Sequence, residues 1–420
     1  MWDLLLRGGR VIDPATRTDG RLDVAVHAGT IADVGPQLPA QDALQVTDVT
    51  GHLITPGLVD MHTHLWHGAS YWGVDPNPLA WRTGVTTWID AGSAGAYGID
   101  GLRRHVAEPA QARVHALMNV SGVGLVAETG EHHHLANLDV DTAAHAAARQ
   151  GDFVVGVKAR IDANTVGPNG LEPLRRAIRL ARLLRRPLMV HVGYGPPAVP
   201  EILPLLAEGD ILTHCATGVA TGLVTGGQLS EATRAARDRG VVFDLGHGSG
   251  ALDFEVLEVE LAAGVQPIVS TDLHARSVHG PAFDLPTVLT KLLAVGWDLP
   301  TAVAAATLRP AQVVGIDAGT LCPGAPADIA VFHVDAGDVP VVDVHGGTRT
   351  APLRLTNTAT YRHGRLLAPD TAAGPDPWIP LSPAQQRAED TRLERIRLAT
   401  PRLDHPDDFD EPFPRPGAAT

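Results

Sequence analysis

The chain has 420 residues, 44% of them hydrophobic and 19% charged, and a formal net charge of −14. That length suits one large barrel with a small satellite domain, and that charge argues against a nucleic-acid partner, because phosphate binding needs a basic face. The two cysteines, Cys215 and Cys322, are too few for a disulfide framework.

Residues 3–50 read as short strands punctuated by Gly and Asp turns: Asp3–Leu6, Arg10–Ile12, Asp23–Val26 and Thr30–Val34. From Gly57 onward, eight short apolar runs alternate with helical stretches, at 57–62, 85–91, 114–120, 153–161, 187–192, 211–215, 241–246 and 267–272. Most are apolar on both faces, the mark of parallel strands covered by helices. Between them, 171–186 has apolar residues at helical spacing with arginines opposite. Ser230–Arg239 and Asp253–Ala263 each begin on a capping side chain and stop before glycine. The alternation predicts an α/β fold, a (β/α)8 TIM barrel over 54–317.

After a helical reading at Leu299–Val314, strands return at 324–333 and 351–367. The simplest topology joins them to the N-terminal strands as a small β-sandwich domain, 1–53 with 318–368. The Pro- and Asp-rich extension 369–420 holds one candidate helix, 382–399. No run reaches the roughly 18 apolar residues of a membrane span. The first residues carry no cleavage signature. A cytoplasmic protein without a membrane partner is expected.

Catalytic groups of such barrels project from the C-terminal ends of the strands. Those ends carry His62 and His64, then Lys158, His191, His214 and Asp272. Alternation puts His62 and His64 on one side of their strand. Four imidazoles and a carboxylate at one mouth suit zinc, iron or manganese. Any one such histidine has a bland reading as a hydrogen-bonded polar residue, but the whole series does not. Lys158 sits in the apolar run Phe153-Val-Val-Gly-Val-Lys-Ala-Arg. It either snorkels, pairs with a carboxylate, or holds a carbamate that bridges two metals. Arg160, two positions on, faces the same way and suits a substrate carboxylate or a salt bridge. His247, flanked by glycines, reads as a pocket residue and His274 as a weaker one. His132–His134 read as a solvated loop and Cys215 as packing.

The chain resembles the amidohydrolase superfamily over residues 1 to 368. The signs are DLLLRGGRVIDP (3–14), ITPGLVDMHTHLWHG (54–68), GVTTWIDAGSAG (84–95) and GAPADIAVF (324–332). GVKAR (156–160), DLGHGSG (244–250), STDLHA (270–275) and GPAFDLPTVLTKLL (280–293) are most similar to its deacetylase, or dihydroorotase-like, members. The resemblance implies two divalent metal ions, zinc first among them. His62, His64 and Asp272 would hold the buried one, His191 and His214 the exposed one, and carboxylated Lys158 would bridge them. It further implies attack by a metal-bridging hydroxide, with Asp272 as general base and then acid.

By that resemblance the chain would be an enzyme that removes an acyl group from a small N-acyl amino acid or O-acetyl hydroxy acid. The alternative is a cyclic amidase opening a dihydroorotate- or hydantoin-like ring. A deaminase fits less well, since His191 is followed by Val-Gly-Tyr-Gly-Pro with no glutamate. A non-catalytic scaffold fits least, because every ligand position is kept. A homo-oligomer acting on a small molecule is expected.

Overall fold

Gly57 separates two kinds of strand in the computed structural model, which describes residues 1–371 and Arg387. Before it come Trp2–Asp13 (β1), Thr18–His27 (β2), Thr30–Gly35 (β3), Ala43–Asp48 (β4) and Leu53–Pro56 (β5). After it, Leu58–Thr63 (β6), Val85–Ala91 (β7), Arg113–Asn119 (β8), Val154–Ile161 (β9), Leu188–Val192 (β10) and Ile211–Thr213 (β11) run parallel. A small hairpin, Val224–Thr225 (β12) with Gln228–Leu229 (β13), precedes the seventh parallel strand, Val242–Asp244 (β14). Ile329–Val342 (β15), Thr348–Arg362 (β16) and Arg365–Leu366 (β17) then rejoin the first sheet.

The two chain ends do meet, but in one hydrogen-bonded sheet ordered β17-β16-β15-β5-β1-β2-β3, with β4 on β1. Its continuity lies in β1. The two short strands expected at its position merge, with a register shift between Leu6 and Gly9. The merged strand is long enough to pair with β4 along Trp2–Arg7 and with β5 at Arg10–Val11. The sheet therefore branches there.

The parallel sheet is ordered β14-β11-β10-β9-β8-β7-β6. Its outer residues, among them Leu188, Val190, Val192, Leu212 and Phe243, pack under the helices. Its other face carries Val59, Met61, Ile89, Ala91, Leu117, Met189 and Ile211, which cluster with Ile268 and with Ala311 and Val314 of the helix Leu308–Val314. The expected eighth strand, 267–272, is not a regular strand. It makes isolated parallel bridges, Ile268 to Asp244 and Leu273 to Thr63. Both edges of the curled sheet thus bond to one segment. His64 N donates to Leu273 O at 2.7 Å and Ile268 N to Phe243 O at 2.8 Å.

Local signals set the helices. Glu172–Leu184 has proline in its first turn, ends at Arg185 with φ 52°, and buries Leu174, Ala177, Leu180 and Ala181. Ser230 accepts from Thr233 N, and Asp253 from Glu255 N and Val256 N, as caps. The single helix expected over Leu299–Val314 is two, Leu299–Ala305 and Leu308–Val314, parted at Thr307, whose φ and ψ of −135° and −85° are not helical. The candidate helix at 382–399 lies outside the described residues. Among the described residues no helix is long and apolar enough to cross a membrane.

Gly57 joins the two sheets, and a Cβ there would stand 2.1 Å from Thr86 Oγ1. Gly57→Ala is expected to destabilise the fold by about 1–3 kcal/mol through overpacking. Urea unfolding of Gly57→Ala, Thr86→Ala and the pair should show a non-additive recovery in the double variant.

Candidate metal centre

Three side chains converge where the parallel strands end. Asp272 Oδ1 lies 3.3 Å from His62 Nε2 and 3.3 Å from His64 Nε2. One ligand atom from each of these residues lies within 4.8 Å of the others. Asp272 has φ 47°, a left-handed conformation for a non-glycine residue. Such backbone strain costs about 1–3 kcal/mol and persists only where the surroundings impose it. Here Gly248 leaves the room, since a Cβ on it would meet Asp272 Oδ2 at 2.6 Å.

The opposite ring nitrogen of each histidine is tied to the fold. His62 Nδ1 lies 2.8 Å from Thr213 Oγ1, which donates to Asp244 Oδ2 at 2.7 Å. His64 Nδ1 is 3.1 Å from Ser93 Oγ, and Asp90 in turn accepts from Ser93 N and Leu65 N. Asp244 also accepts from Ser270 Oγ, and Asp60 from Thr271 N and Oγ1. Burial raises the pKa of Asp60 to about 7 and that of Asp244 to about 6, against the hydrogen bonds that lower them. Asp272 behaves oppositely. Burial would raise its pKa, but His62, His64, His274 and His214 hold it well below the usual carboxylate range.

Lys158, His191 and His214 complete the ring. Lys158 is 1% exposed, and its Nζ lies 2.9 Å from His62 Nε2 and 3.2 Å from Met189 Sδ. Burial lowers its pKa to about 7, despite Asp272 and Asp244. Gly92 is required beside it, because a Cβ there would meet Lys158 Cγ at 2.7 Å. His191 and His214 stack edge to face with ring centroids 4.5 Å apart. His191 Nε2 meets Asp162 Oδ2 at 3.2 Å, which leaves Nδ1 for another partner. His214 Nδ1 donates to Gly246 O at 2.7 Å, and its buried Nε2 has no hydrogen-bond partner. Burial lowers the His214 pKa to about 3, so the ring is neutral. An orphaned, buried, neutral imidazole nitrogen beside a His-His-Asp cluster is the donor chemistry of a divalent cation. The residues present fit such a group.

A cleft of about 370 Å³ opens over His191, His214 and Asp272, walled by Trp72, Tyr194 and Ser249 among others. Arg160 lines it while pairing with Glu131, Nε to Oε1 at 2.9 Å. Of the two readings open for Arg160, the salt bridge is present, at the cleft wall. His274 also lines the cleft, 4.0 Å from Asp272 Oδ2. His247 lies behind this wall, fully buried, its Nε2 2.7 Å from Lys291 Nζ. The solvated-loop reading fails for His132, which is 0% exposed with Nδ1 on Arg160 O at 2.9 Å; His133 and His134 are exposed. Cys215 is buried as expected, and burial raises its pKa well above the ordinary thiol value.

Sequence reasoning missed Asp60, Asp90, Asp244, Asp162, Glu131 and Lys291. A signal existed for three: Asp60, Asp90 and Asp244 are acidic residues inside runs otherwise read as apolar strands.

The Amidohydrolase family model matches residues 53–355. A protein of Agrobacterium fabrum named a deacetylase is 35% identical over 323 residues, 76% of this chain and 79% of that protein. The fold is similar to a crystal structure described as an adenine deaminase (TM-score 0.80, 32% identity, 87% of this chain and 99% of that one). It is equally similar to one described as a dihydroorotase (TM-score 0.80, 31% identity, 87% and 97%).

Asp244→Ala removes the acceptor behind His62 and is expected to weaken zinc binding about 10–100-fold, read by competition with a chromophoric chelator. The neutral His214 also makes stability depend on pH. Unfolded, its pKa returns to about 6.5, so between about 3 and 6.5 the unfolded chain binds a proton that the folded chain excludes. This part of the stability is present above about 6.5 and is lost as the pH falls. In chelator, His214→Gln should flatten the rise in unfolding free energy from about pH 4.5 to 6.5 relative to wild type.

Proposed function

This chain belongs to the amidohydrolase family and is a hydrolase; from that premise we propose that it removes an acyl group from a small N-acyl amino acid or O-acetyl hydroxy acid. The observation that carries this reading is the buried Lys158 beside His62, within a ligand set that has no glutamate after His191. That combination suits two cations sharing a carboxylated lysine and disfavours a mononuclear deaminase. Deacylation is preferred over ring opening because three similar proteins named deacetylases are 32–35% identical to this chain across 79–99% of their own length, whereas a similarly long match to one named a dihydroorotase is 25% identical.

His62, His64 and Asp272 would hold one cation, His191 and His214 the other, and carboxylated Lys158 would lie between them. Zinc suits the imidazole-rich set. Bound divalent cations acidify water and polarise a carbonyl oxygen. The remaining chemistry is the chain's own. Asp272 presents Oδ1 to the histidine pair and Oδ2 to the side of Gly248 and His274. Held ionised, it takes the proton of the attacking water and passes it to the departing nitrogen or oxygen. Arg160, steadied by Glu131, faces the substrate carboxylate, and the loop that holds His247 backs the cleft. We read 268–273 as the eighth strand position of a (β/α)8 barrel over 54–317, with 1–53 and 318–368 as its companion domain.

The test is turnover of N-acetyl amino acids, O-acetyl hydroxy acids and cyclic ureides by zinc-loaded protein. Open-chain acetyl substrates should be hydrolysed, and Asp272→Asn should lower kcat by on the order of 10²–10⁴. Turnover of ring substrates alone would establish the cyclic amidase instead.

A further inference from the structure

A second buried lysine lies behind the cleft. Lys291, in the helix Leu285–Ala294, is 2% exposed. Its Nζ donates to Pro281 O at 2.6 Å and lies 2.7 Å from His247 Nε2. His247 Nδ1 lies 2.9 Å from Gly248 O, so the ring donates there and accepts from Lys291 at Nε2. Burial lowers the Lys291 pKa to about 7, with Asp343 and Asp284 pulling the other way.

A buried ammonium group is costly, and packing alone does not call for one. What its two contacts accomplish is the joining of two loops. Pro281 belongs to the loop that follows Asp272, and His247 to the loop that follows β14. The second loop is fixed against the first strand-end segment by His247 N to Ser270 O at 3.2 Å and Gly248 N to Thr271 O at 2.8 Å. Gly248 abuts Asp272 Oδ2, and Ser249 and Ala251 of the same loop wall the cleft. The helix thus reaches, through one ammonium group, both loops that bracket a strained aspartate.

We propose that Lys291 is a positioning residue: through His247 and Pro281 it clamps the 246–250 loop and the loop after Asp272 together, fixing the direction of the Asp272 carboxylate and the width of the adjoining wall. Its part in catalysis rests on the hydrolase reading above, but its effect on Asp272 does not. Lys291 touches neither the cleft nor the ligand atoms, so its removal leaves the donor set intact. Only the orientation of one donor changes.

The test uses cobalt-loaded full chains, whose visible spectrum reports ligand geometry without any substrate. Lys291→Met should stay folded and keep the wild-type cobalt stoichiometry. Its visible bands should move, and on the best acetylated substrate kcat should fall at least ten-fold with KM within about three-fold. His247→Leu should reproduce the shift, while His247→Gln, which keeps a donor and an acceptor, should restore most of the wild-type spectrum. The His247 pair decides the matter if Lys291→Met does not fold. A wild-type spectrum in both Lys291→Met and His247→Leu would overturn the clamp. A wild type inert on every acetylated substrate would overturn the deacylase reading alone, leaving the spectra to judge Lys291.

Discussion

The structure turns on one carboxylate held where a carboxylate is expensive to hold. Asp272 is wedged against two imidazoles at 3.3 Å, on a backbone turned to φ 47°. Both conditions need a scaffold stiff enough to impose them. The stiffness comes from polar groups buried deeper than the site itself. Asp60, Asp90 and Asp244 are each 0% exposed; Asp60 and Asp244 accept from Thr271 and Ser270 of the one segment that closes the sheet, and Asp90 from Leu65 N after β6. Unpaired, these groups would oppose folding; paired, they lock neighbouring strands in the register that aims the histidines inward.

The electrostatic arrangement follows from the same burial. His62, His191 and His214 all have lowered pKa values, burial being the largest cause in each. Neutral rings are the form that binds a cation. Asp272 stays firmly ionised, because the histidines around it outweigh its desolvation, and Asp162 beside His191 is likewise held low. Lys158, facing the same histidines, has its pKa lowered to about 7 by burial, against the pull of Asp272 and Asp244. Around the cleft, by contrast, charges are paired: Arg160 with Glu131, and Arg276 with Glu128 at 3.1 Å while its guanidinium lies 4.9 Å from the Trp72 ring centroid. These pairs shape the walls, and the walls are where family members of one fold differ in substrate.

Much of this was legible in the chain. Seven of the eight apolar runs are strands, and their ends carry the residues that meet in space. Buried parallel strands announce themselves by continuous apolar runs, and a polar residue at the end of one stands out. The eighth run was harder, because 267–272 contributes single bridges rather than a ladder. The branching of the first sheet at β1 was invisible, since a long strand and two short ones share one pattern. Pairings across the fold were also out of reach. His62 and Asp244 are 182 positions apart, Lys291 and His247 44, and Arg160 pairs with a glutamate in a loop that looked solvated. Periodicity reports which face a residue takes, not which distant residue it meets there.

The central claim is that this strand-end constellation is a two-cation hydrolytic centre bridged by a modified lysine. Anomalous scattering from crystals of the zinc-loaded protein grown with bicarbonate tests it most directly. Two zinc peaks are expected, one on His62, His64 and Asp272 and one on His191 and His214, with carboxylate density on Lys158 Nζ between them. A single peak, or an unmodified Lys158 still bonded to His62, would contradict it.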